Sequence, residues 1–145
     1  MGRTEEATVL VDRVGEIHGF KKLSNNDFVF GETRIVIRTA EPKADHGYNK
    51  YFLGVTFPKL QETSPDQTYL LLVLGDEKKI IYLPGDVALK IFKNVPIVEK
   101  DQVKFKVLER GNYYSLSATG VQNIVISQYF NTSPWQGRTT RTQLK

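Results

Sequence analysis

The run Tyr69-Leu70-Leu71-Leu72-Val73-Leu74, turned by Gly75-Asp76 and returned through Lys78 to Leu83, decides the fold of this chain. A strand that is apolar at consecutive positions presents a greasy side to both faces of its sheet, so it needs cover above and below. Glycine and aspartate at the bend suit a tight antiparallel hairpin. Pro84-Gly85-Asp86 then opens a helical pattern over about 86–93, closed by Asn94 and Pro96.

Upstream, Thr4 is placed to cap a helix, with Glu5 and Glu6 in the first turn where the helix dipole favours acids. Ala7, Leu10, Val11, Val14 and Ile17 keep the spacing of one helical face, which predicts a helix over about 4–18. Gly15 inside it costs on the order of 1 kcal/mol against alanine. Phe28 to Phe30 and Arg34 to Arg38 read as two strands joined around Gly31-Glu32. In the second, Ile35 and Ile37 point one way, and Arg34, Val36 and Arg38 the other.

Residues 39–49 have loop composition, interrupted by Pro42 and Gly47, and are rich in hydrogen-bonding groups. Tyr51 to Phe57 reads as a strand stopped by Pro58, and Leu60 to Gln67 as a polar connection. Beyond the second helix, Val103, Phe105 and Val107 alternate with Lys104 and Lys106, one face dry and one wet. Gly111-Asn112 turns that strand into Tyr113 to Ala118, and Ile124 and Ile126 mark one more short strand before a turn at Ser127. The expected fold is α+β: a curved, mostly antiparallel sheet or half-open barrel of about seven or eight strands. It carries an N-terminal helix and one short internal helix. Residues 1–131 are expected to form a single domain, and 132–145 a basic, mobile tail.

The chain has 145 residues, 40% hydrophobic and 25% charged, which is ordinary for a globular domain. Its start is polar and acidic, and no apolar run approaches the ~18 residues that span a bilayer, so the expectation is a cytoplasmic protein without a membrane partner. No cysteine is present, which excludes disulfides, thiol nucleophiles and thiolate metal sites. The net charge of +4 is unevenly placed. Arg138, Arg141 and Lys145 give the last fourteen residues +3 with no acid, leaving 17 basic and 16 acidic residues before them. A basic face on the body therefore has to be found residue by residue.

Two patterns carry chemistry. Pro65-Asp66 followed by Glu77-Lys78-Lys79 matches the PD-(D/E)xK signature, in which Asp66 and Glu77 share a divalent metal and Lys79 stands beside it. A hairpin at Gly75 opposes that reading, because the strand from Asp66 to Gly75 spans about 30 Å and separates the two carboxylates. The second pattern interleaves cations with aromatics: Arg34, Arg38, Lys43, Tyr48, Lys50 and Tyr51, with Arg138, Arg141 and Trp135 in the tail. Arginine and lysine reach phosphates and base edges, and tyrosine hydrogen-bonds phosphate or stacks on an unpaired base. Lys104 and Lys106 make a similar stripe.

Tyr51-Phe52-Leu53-Gly54-Val55, and Ile81-Tyr82-Leu83-Pro84 leading into a helix, resemble the DNA-recognition domains associated with prokaryotic restriction-modification enzymes. The resemblance covers roughly residues 48–131, and none of its motifs is chemically specific. It implies a DNA-binding module of a restriction-type or other defence system, with a catalytic or other protein as a further partner. The expected contacts are Arg34, Arg38, Lys43, Tyr48, Lys50, Arg138 and Arg141, with no cofactor and no resident metal. The alternatives are a nuclease using Asp66, Glu77, Lys79 and Mg2+, or a protein-interaction module offering an edge strand or the Trp135 tail.

Overall fold

Each residue of the central run finds a partner on both sides in the computed structural model, which describes residues 5–24, 26–56 and 67–133. The described elements are helix α1 (Glu5–His18), strands β1 (Lys21–Ser24), β2 (Asp27–Phe30), β3 (Thr33–Ala40), β4 (Lys43–Asp45), β5 (Tyr48–Thr56), β6 (Thr68–Leu74) and β7 (Ile80–Pro84), helix α2 (Gly85–Phe92), then β8 (Gln102–Arg110), β9 (Tyr113–Ala118) and β10 (Val121–Val125). Single 3-10 turns lie at Glu99–Asp101 and Ser127–Tyr129.

The strands divide into two five-stranded sheets, in the orders β1-β2-β3-β6-β7 and β10-β9-β8-β5-β4. The expected α+β class with mostly antiparallel pairing is present, but no barrel closes among the described residues. Ten strands stand among the described residues where seven or eight were expected. The extra ones are β1, exposed along its whole length, and β4, which folds part of the 39–49 stretch into a hairpin with β5.

The hairpin of β6 and β7 forms as read. Leu70 pairs with Leu83 and Val73 with Ile80, Gly75 takes a φ of +94°, and the Asp76 carboxylate accepts the Lys78 N–H at 2.7 Å. On its other side β6 runs parallel to β3, with Val36 beside Leu70 and Arg38 beside Leu72. Sequence spacing alone suggested mostly adjacent antiparallel pairs. The parallel pair arises because β4 and β5 leave for the second sheet before the chain returns to the first.

Both faces of β6 are dry for different reasons. Leu71 and Val73 pack with Ile35, Ile37, Ile80 and Tyr82 under Val11 and Val14 of α1. Leu70, Leu72 and Leu74 face the other way, into a core shared with Tyr51, Leu53, Val55, Val103, Phe105 and Val107 of the second sheet and with Ala88 and Phe92 of α2. The layers are therefore α1, first sheet, second sheet. His18, the last residue of α1, seals its end: Nε2 lies 2.8 Å from the Tyr82 hydroxyl, and the ring stacks on Phe20 with centroids 5.1 Å apart. Burial pulls its pKa below the usual value, against a bond to the Val14 carbonyl that raises it.

Gly15 now has a reason. A Cβ there would stand 2.6 Å from Cε2 of Phe28, so the helix can lie this close to the sheet only without a side chain at that point. Gly15→Ala should gain helix propensity of about 1 kcal/mol. It should lose more than that by displacing a buried ring, for a net destabilisation of about 1–2 kcal/mol in a urea titration. A more stable variant would mean that the Phe28 ring moves aside freely.

Candidate nucleic-acid interface

Alternation along β5 and β8 gives the second sheet two unlike faces. Tyr51, Leu53, Val55, Val103, Phe105 and Val107 turn inward and are buried. The residues between them turn outward, and cross-strand register orders them in rows. Gly54 pairs with Lys104; Phe52 with Lys106, which pairs in turn with Ser117; Lys50 with Leu108 and, on its other side, with Lys43; and Arg110 with Tyr113. Tyr48 completes the last row, with the Arg110 guanidinium 4.6 Å above its ring. Five outward positions thus carry a cation (Lys43, Lys50, Lys104, Lys106 and Arg110), against one acid in register, Asp45 opposite Tyr48.

Two features set this face apart from an ordinary solvated sheet. Phe52 is 53% exposed in the middle of it. The second is position: β8 is the central strand of its sheet. Lysines on an edge strand, such as Lys43 on β4, discourage unwanted strand pairing, but Lys104, Lys106 and Arg110 have no edge to protect. Like charges set directly opposite one another, as at Lys43 and Lys50, weaken a sheet by a few tenths of a kcal/mol. Among the described residues, neither Lys104 nor Lys106 forms an ion pair; Lys104 and Arg110 are exposed, whereas Leu108, Ser115 and Ser117 of the same face are buried. A groove of about 510 Å³ crosses it, lined by Phe52, Lys104, Lys106, Ser117, Gln122 and Asn123 among others.

The expected contact residues are sorted by this geometry. Lys43, Tyr48 and Lys50 come together on the outer face, joined by Lys104 and Lys106. Arg34 and Arg38 go elsewhere, because the side of β3 that they share with Val36 is the side turned to the second sheet. Arg34 lies 4.0 Å from the Asp27 carboxylate, and Arg38 donates from Nε to the Gly54 carbonyl of β5 at 3.1 Å. Phe52 and Arg110 were passed over as contacts, although Phe52 sits between the inward Tyr51 and Leu53 and alternation alone puts it outside. Arg138, Arg141 and Trp135 lie outside the described residues.

The two described members of the nuclease reading, Glu77 and Lys79, engage different partners. Tyr69 near the start of β6 pairs with Pro84, while Glu77 lies beyond the far end of that strand. Glu77 lies 3.7 Å from Arg13 of α1, whereas Lys79 reaches 2.8 Å to Glu109 on the second sheet. Asp66 is outside the described residues. Among the described residues, no three histidine or acidic side chains are grouped to hold a metal ion, and no helix is long and apolar enough to cross a membrane.

Glu109 is buried and bonded through both carboxylate oxygens. Its Oε1 accepts from the Tyr51 hydroxyl at 2.7 Å and from Asn49 at 3.1 Å. Its Oε2 accepts from the Tyr114 hydroxyl at 2.7 Å and from the Lys79 ammonium at 2.8 Å. Burial alone would push this carboxyl up; donation from Lys79, Tyr114, Tyr51 and Asn49 outweighs it and holds the pKa at about 2. Burial and the neighbouring carboxylate push both tyrosines up. A carboxylate already accepting four bonds is a poor proton acceptor. Glu109 is a clasp, tying the β6–β7 hairpin of one sheet to β5, β8 and β9 of the other. No protein-family model matches the chain, and neither does any curated protein or solved structure.

Proposed function

We propose that this domain binds DNA through the outer face of its second sheet. The observation that carries the reading is the coincidence, on one face of the sheet, of Lys43, Lys50, Lys104, Lys106 and Arg110 with Phe52, Tyr48 and Tyr113. Cations at strand spacing match a polyanion, and aromatic side chains among them distinguish a nucleic-acid surface from a plain solvated one. Arg138 and Arg141 add further salt-sensitive attraction. The resemblance to restriction-associated recognition domains supports a recognition role within a defence system, with catalysis supplied by a partner.

Affinity for DNA should fall steeply with salt. Replacing Lys104 and Lys106 together by alanine should weaken binding and flatten the slope of log affinity against log salt by about 2. Lys21 and Lys22, exposed on β1 at the edge of the first sheet, serve as the control pair and should leave the slope unchanged. An identical slope in both double variants would remove the second sheet from consideration.

A further inference from the structure

Resting on that reading, we propose that the nucleic acid taken by this face is single-stranded, its unpaired bases stacking on Phe52 and on the Tyr48–Arg110–Tyr113 row. Shape is the first argument. Duplex recognition in the major groove uses a protruding helix or a two-stranded ribbon. Here α1 packs on the far side of the first sheet, and Ala88 and Phe92 of α2 are buried in the core. The basic surface is the broad face of a sheet.

The aromatic side chains are the second argument. A half-exposed phenylalanine in a field of lysines offers a π-face that paired bases, already stacked on one another, have no use for. An unpaired base can lie on it whatever its identity. Arg110 offers a second platform, since it is exposed at the end of β8 with its guanidinium 4.6 Å over the Tyr48 ring. The two platforms lie four residues apart along β8, from Lys106 opposite Phe52 to Arg110 itself, or about 13 Å.

Charge spacing is the third. Lys50 and Lys43 share the row next to that of Arg110, and Lys104 lies beyond Phe52, so cations occur between and outside the aromatic rows where a phosphate backbone would pass. Beside Phe52, the exposed Gln122 and Asn123 add amide groups at the groove wall for base edges, while the buried Ser117 hydroxyl accepts the Asn123 N–H at 2.9 Å.

The test is fluorescence anisotropy with a labelled oligothymidylate of about 15 nucleotides, and with a mixed-sequence duplex of the same length, on the full chain at two salt concentrations. The single strand should bind more tightly. Phe52→Ala should weaken it about 5- to 100-fold with little change in thermal stability, since the ring is largely in solvent, and Phe52→Tyr should restore it. Duplex affinity equal to or above single-strand affinity would overturn the inference, as would a Phe52→Ala variant that binds the single strand normally. In either case salt-dependent binding lost on removing Lys104 and Lys106 leaves the broader DNA-binding reading standing. Failure of both oligonucleotides to bind at low salt would end both.

Discussion

Replacing Glu109 by alanine is expected to lower the stability of the domain at neutral pH by about 3–5 kcal/mol, enough to move the melting temperature by roughly 10 °C or more. The cost comes less from the lost bonds than from what is left behind. Tyr51 and Tyr114 are 1% and 3% exposed, and each would keep a buried hydroxyl stripped of the acceptor that Glu109 provides. Lys79 would lose the anion that fixes the returning hairpin to the second sheet. Glu109→Gln keeps one acceptor oxygen but turns an amide toward a hydroxyl or an ammonium, so it should cost less than alanine but remain clearly destabilising. Acid should reveal the same clasp. With the folded carboxyl held at about 2 against an ordinary 4.5, the clasp is fully effective above pH 4.5 and is lost as pH falls toward 2. The stability gap between the native chain and Glu109→Gln should therefore be flat from pH 7 to about 5 and shrink by about 3 kcal/mol on further acidification. A gap that does not depend on pH, or an alanine variant within about 1 kcal/mol of the native chain, would show that water replaces the clasp without loss.

What the sequence made legible follows from where each signal is stored. Tyr69 to Leu74 announced a strand covered on both sides because burial on two faces is written in consecutive residues. The alternation of Val103, Phe105 and Val107 with Lys104 and Lys106 likewise told inside from outside. The four residues of β1 escaped because none is buried, so no apolar period marks them. Within 39–49, Pro42 and Gly47 flank a strand of only three residues whose existence depends on pairing with β5. The parallel union of β3 with β6 is stored in neither strand. It depends on the intervening hairpin joining another sheet, and no local pattern records that. The same gap scattered the candidate site. Arg34 and Arg38 were correctly set on one face of β3, but Ile35 and Ile37 on one side and Val36 on the other made both faces apolar. Which face would meet the second sheet could not be read. Lys43, Tyr48 and Lys50 could be placed near one another by chain proximity, whereas their neighbours Lys104, Lys106 and Arg110 enter the site only through sheet pairing.

Arg34 supplies the sharpest separation between a structural cation and a DNA contact. It stands on the inner side of β3, 4.0 Å from Asp27, a carboxylate whose side chain is only 5% exposed and which also accepts the Ser24 hydroxyl at 3.1 Å. Removing one partner of a buried pair leaves the other charge poorly solvated, which costs about 3–5 kcal/mol when burial is complete. Arg34 keeps 24% of its side chain in solvent, so water can partly replace it, and Arg34→Ala should cost about 2–3 kcal/mol by urea titration. Exchanging both partners for apolar residues of similar size, Arg34→Met with Asp27→Leu, should recover much of that loss, because no charge is then stranded. A surface arginine that only touched phosphate would behave in the opposite way. Its removal would leave stability nearly unchanged and weaken DNA binding, and the paired exchange would restore nothing. With Arg34→Ala still folded at low temperature, its DNA affinity should match that of the native chain, while loss at Lys104 and Lys106 should be felt only in binding. A stable Arg34→Ala variant with weakened affinity would instead move the contact surface to the seam between the two sheets, where Arg38 already bridges β3 to Gly54.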